Sequence, residues 1–450
     1  MIQGRLRRTT TLLSVTALAL GMASTGVLTS GAGASSATPG VTAKTITIGA
    51  SVPLTGLAVS YASVSASANA VFNYINKKGG INGRTIKYIR LDDCYNTAAY
   101  GLGCTAGPST TTLSVNKVLV AQDHVFATVG SLGTQAQDSV LSYLKQNGVP
   151  QLFVNSGSSD WNQPSKYPYT FGFQTSYKAE GKIFAQYIRQ HDAGKTIGII
   201  GQGDDFGANG LAGLANGGLK IAPANSLTYN TSDAVTGSGS DIQADIGTLQ
   251  ANNVQVVVLD SVPAFTSAIL TTAHAMSFSP KWIISSVGSD PTSVNSPLEA
   301  GAISLDYFPA ASNKDAWIPW LRKVLLADKI DFPTFTSTSV ITGNELYGAS
   351  FAVAFAETLK AEGRNVTRAG YIKTLESTTL ATPANVPLRY SAGNHQGLLG
   401  GTIATVAPNG TAAPINVIES SSTVYNTNDS AGAPIHASKF STAAIPGWLK

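Results

Sequence analysis

The amino-acid sequence predicts an α/β fold in which parallel sheets carry helices on both faces, and two observations support this prediction. Short apolar runs rich in β-branched residues alternate along the chain with segments whose apolar residues recur at helical spacing. Such alternation is typical of βαβ units, which build parallel sheets. In addition, 43% of the 450 residues are apolar and only 12% are charged, so the chain can bury a large core.

The first βα unit shows both patterns, an apolar run for the strand and helical spacing of apolar residues for the helix. Residues 45–51 form an apolar run that predicts a strand, and apolar side chains from Val64 to Ile75 recur at helical spacing, which predicts a helix over 60–78. Lysines and glycines at 77–80 suit the end of that helix, because lysine favours the negative helix end and glycine adopts the left-handed cap. Further strand-like runs, spaced widely enough for helices between them, lie at 85–91, 125–129, 151–154, 196–200 and 254–259.

The charge distribution argues against nucleic acid or an anionic membrane surface as the partner. The chain has 29 basic and 25 acidic residues, and Arg5, Arg7 and Arg8 stand together at its start, so the remainder carries a net charge of +1. A nearly neutral surface without a basic run has no strong attraction for polyanions. We therefore expect the partner to be recognised in a pocket.

The first 34 residues predict a cleaved export signal, residues 1–34. The three arginines precede an apolar stretch at 12–22, and Ala32 and Ala34 have the spacing of a cleavage site. A disordered start and a membrane anchor are the alternatives, but the apolar stretch is shorter than the ~20 residues that a spanning helix needs. Because no cysteine lies near its end, we expect a soluble protein without a lipid anchor, exported to the periplasm or to the extracellular or cell-wall space.

Export gives a meaning to the two cysteines, Cys94 and Cys104. They lie ten residues apart in a loop rich in Gly, Asn and Thr. In an oxidising compartment such a pair predicts a disulfide rather than two free thiols. Two thiols alone form neither a zinc site nor a Cys-x-x-Cys redox motif, so we expect a staple within that loop.

Two loops that follow predicted strands are rich in small hydroxyl residues. They span residues 130–134 and 155–160. Ligands of parallel sheets bind beyond the carboxyl ends of the strands, and hydroxyls with free backbone N–H groups at a helix start can hold a carboxylate without a counter-charge. Alternatively, these residues are only helix caps and turn formers.

The sequence contains no recognisable pattern of catalytic residues. The five histidines are too far apart for a shared metal site, and neither a Gly-x-Ser-x-Gly elbow nor a phosphate-binding Gly-Lys loop is present. The stretch 201–207 comes nearest to a dinucleotide fingerprint, but Phe206 stands where glycine is needed and the ribose-binding acid is missing. We therefore expect no enzymatic activity, no metal and no cofactor.

The most specific feature of the sequence is a set of short motifs between residues 48 and 94. They read IGASVPLTG at 48–56, NYINKKGGINGR at 73–84 and LDDC at 91–94, and the stretch DDFG at 204–207 follows in order. In these motifs the sequence resembles the extracytoplasmic solute-binding proteins of ABC importers, in the branch of the leucine/isoleucine/valine-binding proteins. The resemblance extends over about 45–405 and implies a monomer that passes a small molecule to a membrane permease. A receptor-type ligand sensor of the same fold and, less favoured, a secreted enzyme are the alternatives.

This resemblance implies two Rossmann-like lobes with parallel-sheet cores, joined by a three-crossing hinge that lets them close on a ligand. The crossings are expected near Gly172, Phe308 and Pro387. The implied segments are 42–172 with 309–386 for lobe one, 173–308 with 387–407 for lobe two, and 408–450 for a tail packed loosely on lobe two.

For the ligand carboxylate, the resemblance implies contacts from Ser131, Ser156 and Ser158, each of which can donate a hydrogen bond. Tyr61 matches an aromatic residue that lines the side-chain end of the family's site, although a half-buried core aromatic is the alternative. The anion half of the site is therefore expected to be complete.

The half of the site that would bind an α-ammonium group departs from the family pattern. Relatives use acidic and tyrosyl groups there, and a buried ammonium without an ionised partner is costly. Asp260 or Asp290 would be the substitute, with a helix cap and an Asp-Pro turn as the alternatives. We therefore expect a small carboxylate with an apolar or aromatic body as the ligand, and a branched-chain amino acid second. The matching positions hold Tyr177, Phe206, Val262 and Val287.

Overall fold

The computed structural model describes residues 38–233, 240–294, 296–309, 315–407, 417–439 and 442–450, apart from the side chains of Ser240 and 417–420. These residues belong to one compact unit, Thr38–Lys450, and the predicted export signal lies outside them. Within the described ranges, no helix combines the length and the apolar composition that crossing a membrane requires.

The first lobe is built on a five-stranded sheet in which all pairs are parallel. Its strands are β1 (Thr45–Val52), β2 (Thr85–Asp92), β3 (Thr128–Val129), β4 (Gln151–Val154) and β5 (Thr170–Gly172). The order β2-β1-β3-β4-β5 requires a crossover between parallel neighbours, which the helices provide.

Helices from two separate parts of the chain cover this sheet. They are α1 (Ala62–Lys77), α2 (Thr112–Ala121), α3 (Thr134–Asp138), α4 (Leu141–Gln146), α10 (Trp317–Ala327), α11 (Gly343–Glu362) and α12 (Arg368–Leu375). α1 and α11 pack closely, because Gly348 lies where a Cβ atom would stand 2.0 Å from the Val64 carbonyl oxygen. Between them they bury apolar side chains such as Phe72 and Phe355.

The second lobe is built on an eight-stranded mixed sheet of order β13-β12-β11-β10-β9-β8-β6-β7. Its strands are β6 (Ile197–Gln202), β7 (Ser226–Tyr229), β8 (Val256–Asp260), β9 (Lys281–Ile284), β10 (Ile303–Asp306), β11 (Gly400–Ala407), β12 (Val417–Asn426) and β13 (His436–Lys439). The first five are parallel, and β11 to β13 are added antiparallel at one edge. Its helices are α5 (Tyr177–His191), α6 (Asp205–Asn216), α7 (Ser240–Ala251), α8 (Pro263–Ala275) and α9 (Pro291–Val294).

Three passages of the chain join the lobes, after β5, between β10 and α10, and between α12 and β11. Hydrogen bonds hold the first and third passages side by side. The Tyr390 hydroxyl donates to the Gly172 carbonyl at 2.7 Å, and the Gly172 N–H donates to the His395 carbonyl at 2.9 Å. The predicted α/β class with two parallel-sheet lobes is confirmed, whereas the exact lobe boundaries stay a prediction.

The chain after residue 416 is more ordered than its polar composition predicts. β12 and β13 extend the second sheet, and Leu449 is buried, with its carbonyl accepting the Trp320 indole N–H at 3.4 Å. The Trp317 indole N–H donates to the Ala443 carbonyl at 2.7 Å. Strand pairing uses backbone groups and needs few apolar side chains, so composition alone gave little sign of it. The loose packing of the whole tail, 408–450, stays a prediction, because residues 408–416 and 440–441 lie outside the described part of the chain.

Candidate functional site

A cavity of about 210 Å³ lies between the lobes, at the carboxyl ends of both sheets. Its walls come from the loops that follow β1 to β5 in the first lobe and β8 to β10 in the second, and from the start of α11. Parallel sheets characteristically place ligands at this edge, because the loops there come from several neighbouring strands. The cavity is therefore the candidate ligand site.

Tyrosines form much of the cavity wall. Five of them line it and all are buried: Tyr61, Tyr95, Tyr177, Tyr307 and Tyr347. Burial raises the pKa of each phenol, to about 12 in the case of Tyr177, because an ionised phenolate would lose its hydration. The hydroxyls therefore stay protonated and act as neutral hydrogen-bonding groups.

The first hydroxyl-rich loop reaches the cavity, but Ser131 itself does not line it. Its buried hydroxyl accepts the Ser51 N–H at 3.1 Å and so ties the loop to the end of β1. Leu132, Gly133 and Thr134 line the cavity instead. A direct contact between Ser131 and a ligand stays a prediction.

The second hydroxyl-rich loop behaves in the same way. Ser156 and Ser158 are buried and lie outside the cavity lining, while Asn155 lines it. The Ser156 hydroxyl forms a 2.7 Å hydrogen bond with the Thr134 hydroxyl, and the Ser158 hydroxyl donates to the Asp160 carboxylate at 2.7 Å. Ser156 thus ties the second loop to the first, whereas Ser158 bonds within its own loop, and a direct ligand contact from either stays a prediction.

Of the predicted aromatic residues, Tyr61 and Tyr177 line the cavity and Phe206 does not. Phe206 is buried behind Tyr177, with 4.3 Å between the ring centroids, and supports that ring. Val262 and Val287 line the second-lobe wall, and their role in ligand binding stays a prediction. They give this part of the wall an apolar surface.

Asp260 lies outside the cavity lining. Its side chain is buried, and a Cβ atom on Gly210 of α6 would lie 1.8 Å from its Oδ2, so it points toward α6. Oδ2 has no hydrogen-bond partner among the described residues. Burial, followed by the charge of Glu180, raises the pKa of Asp260. It does not cap α8 either, because the N-cap of that helix is Val262.

Two carboxylates, Asp290 and Asp306, line the cavity. Asp290 also caps α9, since its Oδ1 accepts the N–H groups of Thr292 and Ser293 at 3.0 Å each. No lysine, arginine or histidine occurs among the described residues of the lining. The two carboxylates therefore give the described lining a negative charge.

Hydrogen bonds bridge the lobes around the cavity. The Tyr61 hydroxyl donates to the Val287 carbonyl. Nearby, the Ser159 N–H donates to the Asn209 side chain at 3.3 Å, and the Lys178 ammonium donates to the Ser159 hydroxyl at 3.1 Å. The structure therefore represents a closed arrangement of the two lobes.

The predicted disulfide joins Cys94 and Cys104. The loop that it closes carries Tyr95, which adopts a left-handed backbone conformation with φ of 58° and reaches the cavity. Tyr95 and Tyr307 were not predicted as site residues. Each follows a strand within a few residues, and that position at the sheet edge was the signal in the sequence.

No group of His, Cys, Asp and Glu residues suited to a metal ion occurs in the part of the chain that the structure describes. His395 has a clear structural role, because its ring stacks on Phe171 and bonds to the Thr170 carbonyl at 2.9 Å. The candidate site is thus a cavity lined by tyrosines, apolar groups and two carboxylates.

Comparisons with known proteins place this geometry in a family. A family model described as periplasmic binding protein matches residues 45–411. No curated protein matches the chain in sequence. The match of the family model confirms the family expected from the motifs between residues 48 and 94.

Several solved structures share the fold. One is a possible leucine/isoleucine/valine-binding protein from Rhodopirellula baltica SH 1, with a TM-score of 0.68 and 17% identity, over 84% of this chain and 96% of that chain. Another is a branched chain amino acid ABC transporter from Thermus thermophilus with bound valine (TM-score 0.65, 15% identity, 84% and 96% covered). A third is an ABC transporter solute binding protein from Rhodopseudomonas palustris BisB5 in complex with 3,4-dihydroxy benzoic acid, with a TM-score of 0.65 and 15% identity, over 89% of this chain and 98% of that chain. With a family match over most of its length, the chain belongs to the periplasmic binding protein family.

Proposed function

We propose that this protein is the extracytoplasmic solute-binding component of an ABC importer, which captures a small carboxylate-bearing ligand and delivers it to a membrane permease. The observation that carries the proposal is a cavity enclosed between two lobes that three chain passages connect. Hinge closure around a ligand creates a shape that a permease can distinguish from the open form. In this role the protein acts after export as a monomer without catalysis.

The cavity favours a small ligand with an apolar body. Its volume of about 210 Å³ is below the ~300 Å³ at which pockets for drug-sized molecules begin. Val64, Val262 and Leu346 offer apolar contacts, and Thr134 and Asn155 offer uncharged donors for a carboxylate. The ligands named for two of the similar structures, valine and 3,4-dihydroxy benzoic acid, are both small carboxylates.

Asp290 favours an amino acid over a plain acid, which reverses the order expected from the sequence. Among the described lining residues, a bare carboxylate would meet two acidic groups and no cation, whereas an amino acid can place its ammonium beside Asp290. The apolar Val262 and Val287 would then contact the aliphatic part of the ligand. We therefore place small apolar amino acids first and apolar or aromatic acids second.

Calorimetric titration tests this order with leucine, valine, benzoate and 4-methylpentanoate, which is leucine without its amine. Asp290→Asn keeps the helix cap but removes the charge, so leucine should bind about tenfold or more weakly, while 4-methylpentanoate loses only a repulsion and should bind as well or better. Asp315→Asn is the matched control, because Asp315 accepts the Trp317 N–H at 2.9 Å outside the cavity. Tighter binding of the plain acid by the native protein would contradict the amino-acid preference.

Delivery to a permease is tested separately, in cells. Uptake of the radiolabelled ligand should fall when the gene is deleted and recover when it is restored. Unchanged uptake, together with tight binding in vitro, would argue for a sensing role in place of transport.

A further inference from the structure

A chain of hydrogen bonds connects a buried carboxylate to the cavity wall. Glu180 of α5 is 2% exposed and does not line the cavity. Its Oε1 accepts the Ser286 N–H at 2.7 Å, and its Oε2 accepts the Ser286 hydroxyl at 3.2 Å. The Ser286 hydroxyl in turn accepts the Tyr307 hydroxyl at 2.6 Å. Ser286 and Tyr307 both line the cavity, so the chain ends at the ligand site.

The direction of each bond follows from the number of protons available. A carboxylate can only accept, so the single hydroxyl proton of Ser286 points at Glu180. Ser286 can then only accept from Tyr307, and this uses the single hydroxyl proton of Tyr307. Toward a ligand, the Tyr307 hydroxyl can therefore act only as a hydrogen-bond acceptor.

The Tyr61 hydroxyl, like that of Tyr307, has no proton left to donate to a ligand, but for a different reason. Its hydroxyl donates to the Val287 carbonyl, which cannot donate in return. The Tyr61 oxygen is thus a second acceptor at the cavity, which Asp290 also lines. The wall offers acceptors where the ligand has to bring donors.

Tyr95 on the first lobe has the opposite polarity. Its oxygen accepts from the Gln202 amide at 3.3 Å. The orientation of that amide is fixed, because its nitrogen also donates to Asp204 at 2.7 Å and its oxygen accepts the Tyr229 hydroxyl at 3.1 Å. No acceptor for the Tyr95 proton occurs among the described residues, so this proton is available to the ligand.

We propose that Glu180 is a positioning residue that sets the hydrogen-bond polarity of the cavity. Through Ser286 it holds Tyr307 as an acceptor for a donor group of the ligand, a protonated amine, while Tyr95 serves the opposite, acceptor-bearing end. This inference rests on the proposed function, since it concerns how the same cavity selects its ligand.

The burial of Glu180 fits such a role. A carboxylate without a cationic partner is expensive to bury, and burial raises the pKa of Glu180 to about 7 although the Ser286 donors oppose the shift. The charge of Glu180 raises the pKa of Asp260 and of Tyr307, and neither of these acidic groups stabilises that charge. A residue that served only to fill space would not need this carboxylate.

Glu180→Gln tests the inference, because the amide has the same shape but must donate. If its oxygen keeps the Ser286 N–H, its nitrogen donates to the Ser286 hydroxyl, whose proton turns to Tyr307, and the Tyr307 proton turns into the cavity. Affinity for leucine should fall about tenfold or more relative to 4-methylpentanoate, measured by calorimetry at about pH 8, where Glu180 is mostly ionised.

Two further variants separate positioning from stability. Ser286→Ala removes the middle of the chain, so it should change the same affinity ratio, and the double variant should add little to either single one. Glu357→Gln is the matched control: Glu357 has a pKa raised to about 7, accepts the Ala381 N–H at 2.7 Å and lies outside the cavity. It should leave the ratio unchanged. An equal loss of affinity for both probes in Glu180→Gln would overturn the inference.

A second measurement distinguishes failure of the inference from failure of the proposed function. If the native protein binds neither probe, the amino-acid proposal fails, and the carbon-13 signal of the Tyr307 ring carbon that bears the hydroxyl decides the inference. Tyr307→Phe assigns that signal. The signal should move in Glu180→Gln and stay in Glu357→Gln, and an unchanged position in both would refute the role of Glu180.

Discussion

Replacing Glu299 with Gln should stabilise the protein by an amount that grows with pH. The Glu299 side chain is 0% exposed beside α8, and neither of its carboxylate oxygens has a hydrogen-bond partner among the described residues. Burial, followed by the charge of Asp290, raises the pKa of Glu299 to about 9. A neutral Gln of the same shape removes the ionisation that the folded state opposes.

The sign follows from the protons bound in each state. A glutamate in the unfolded chain has a pKa of 4.5, so between pH 4.5 and about 9 the folded protein holds a proton that the unfolded chain has released. Over that range the free energy of unfolding falls by about 1.4 kcal/mol for each pH unit. At pH 7 the loss from this group is about 3 kcal/mol relative to pH 4.5. Glu299→Gln should therefore match the native protein near pH 4.5 and exceed it increasingly above.

Urea unfolding of both proteins at about pH 5, 6, 7 and 8, with the disulfide intact, measures this difference. Glu357→Gln is again the matched control. Because the pKa of Glu357 is raised only to about 7, the stabilisation by this substitution should stop growing near that pH. A constant difference between native and Glu299→Gln protein at every pH would refute the reasoning.

Two further predictions concern the loops and the helix packing. Intact-mass measurement of the exported protein should find no free thiols. The double variant Cys94→Ser, Cys104→Ser should bind the ligand more weakly in calorimetry, because the loop that carries Tyr95 loses its disulfide. Unchanged affinity would show that other contacts hold this loop. Gly348→Ala should lower the free energy of unfolding by roughly 2 kcal/mol, since its Cβ would lie 2.0 Å from the Val64 carbonyl, and an unchanged melting temperature would contradict that close contact.

The fold could be predicted because its signals are local and repeated. The strand at 45–51 and the helix at 60–78 each carry their own period, and the structure has β1 and α1 there. The antiparallel strands β12 and β13 were missed, because pairing to a sheet edge leaves little trace in a polar sequence.

The candidate site could be predicted only in part. Its position at the strand ends follows from the topology, and the hydroxyl-rich loops were found in that way. Which residue of each loop faces the cavity depends on backbone turns, such as the one at Gly133 with φ of 105°, so Thr134 lines the cavity and Ser131 does not. Tyr95 reaches the site through a left-handed conformation that the sequence did not indicate.

The hydrogen bonds that hold Ser159 between the lobes allow affinity to be tuned at a distance from the ligand. Asn209 and Lys178 make these bonds without lining the cavity. If the ligand binds the closed form, its apparent dissociation constant equals the intrinsic one divided by the fraction of molecules that are closed. A substitution at Asn209 that lowers this fraction weakens the binding of every ligand by one common factor and preserves the order of their affinities. In this protein, affinity and ligand specificity can therefore evolve at separate residues.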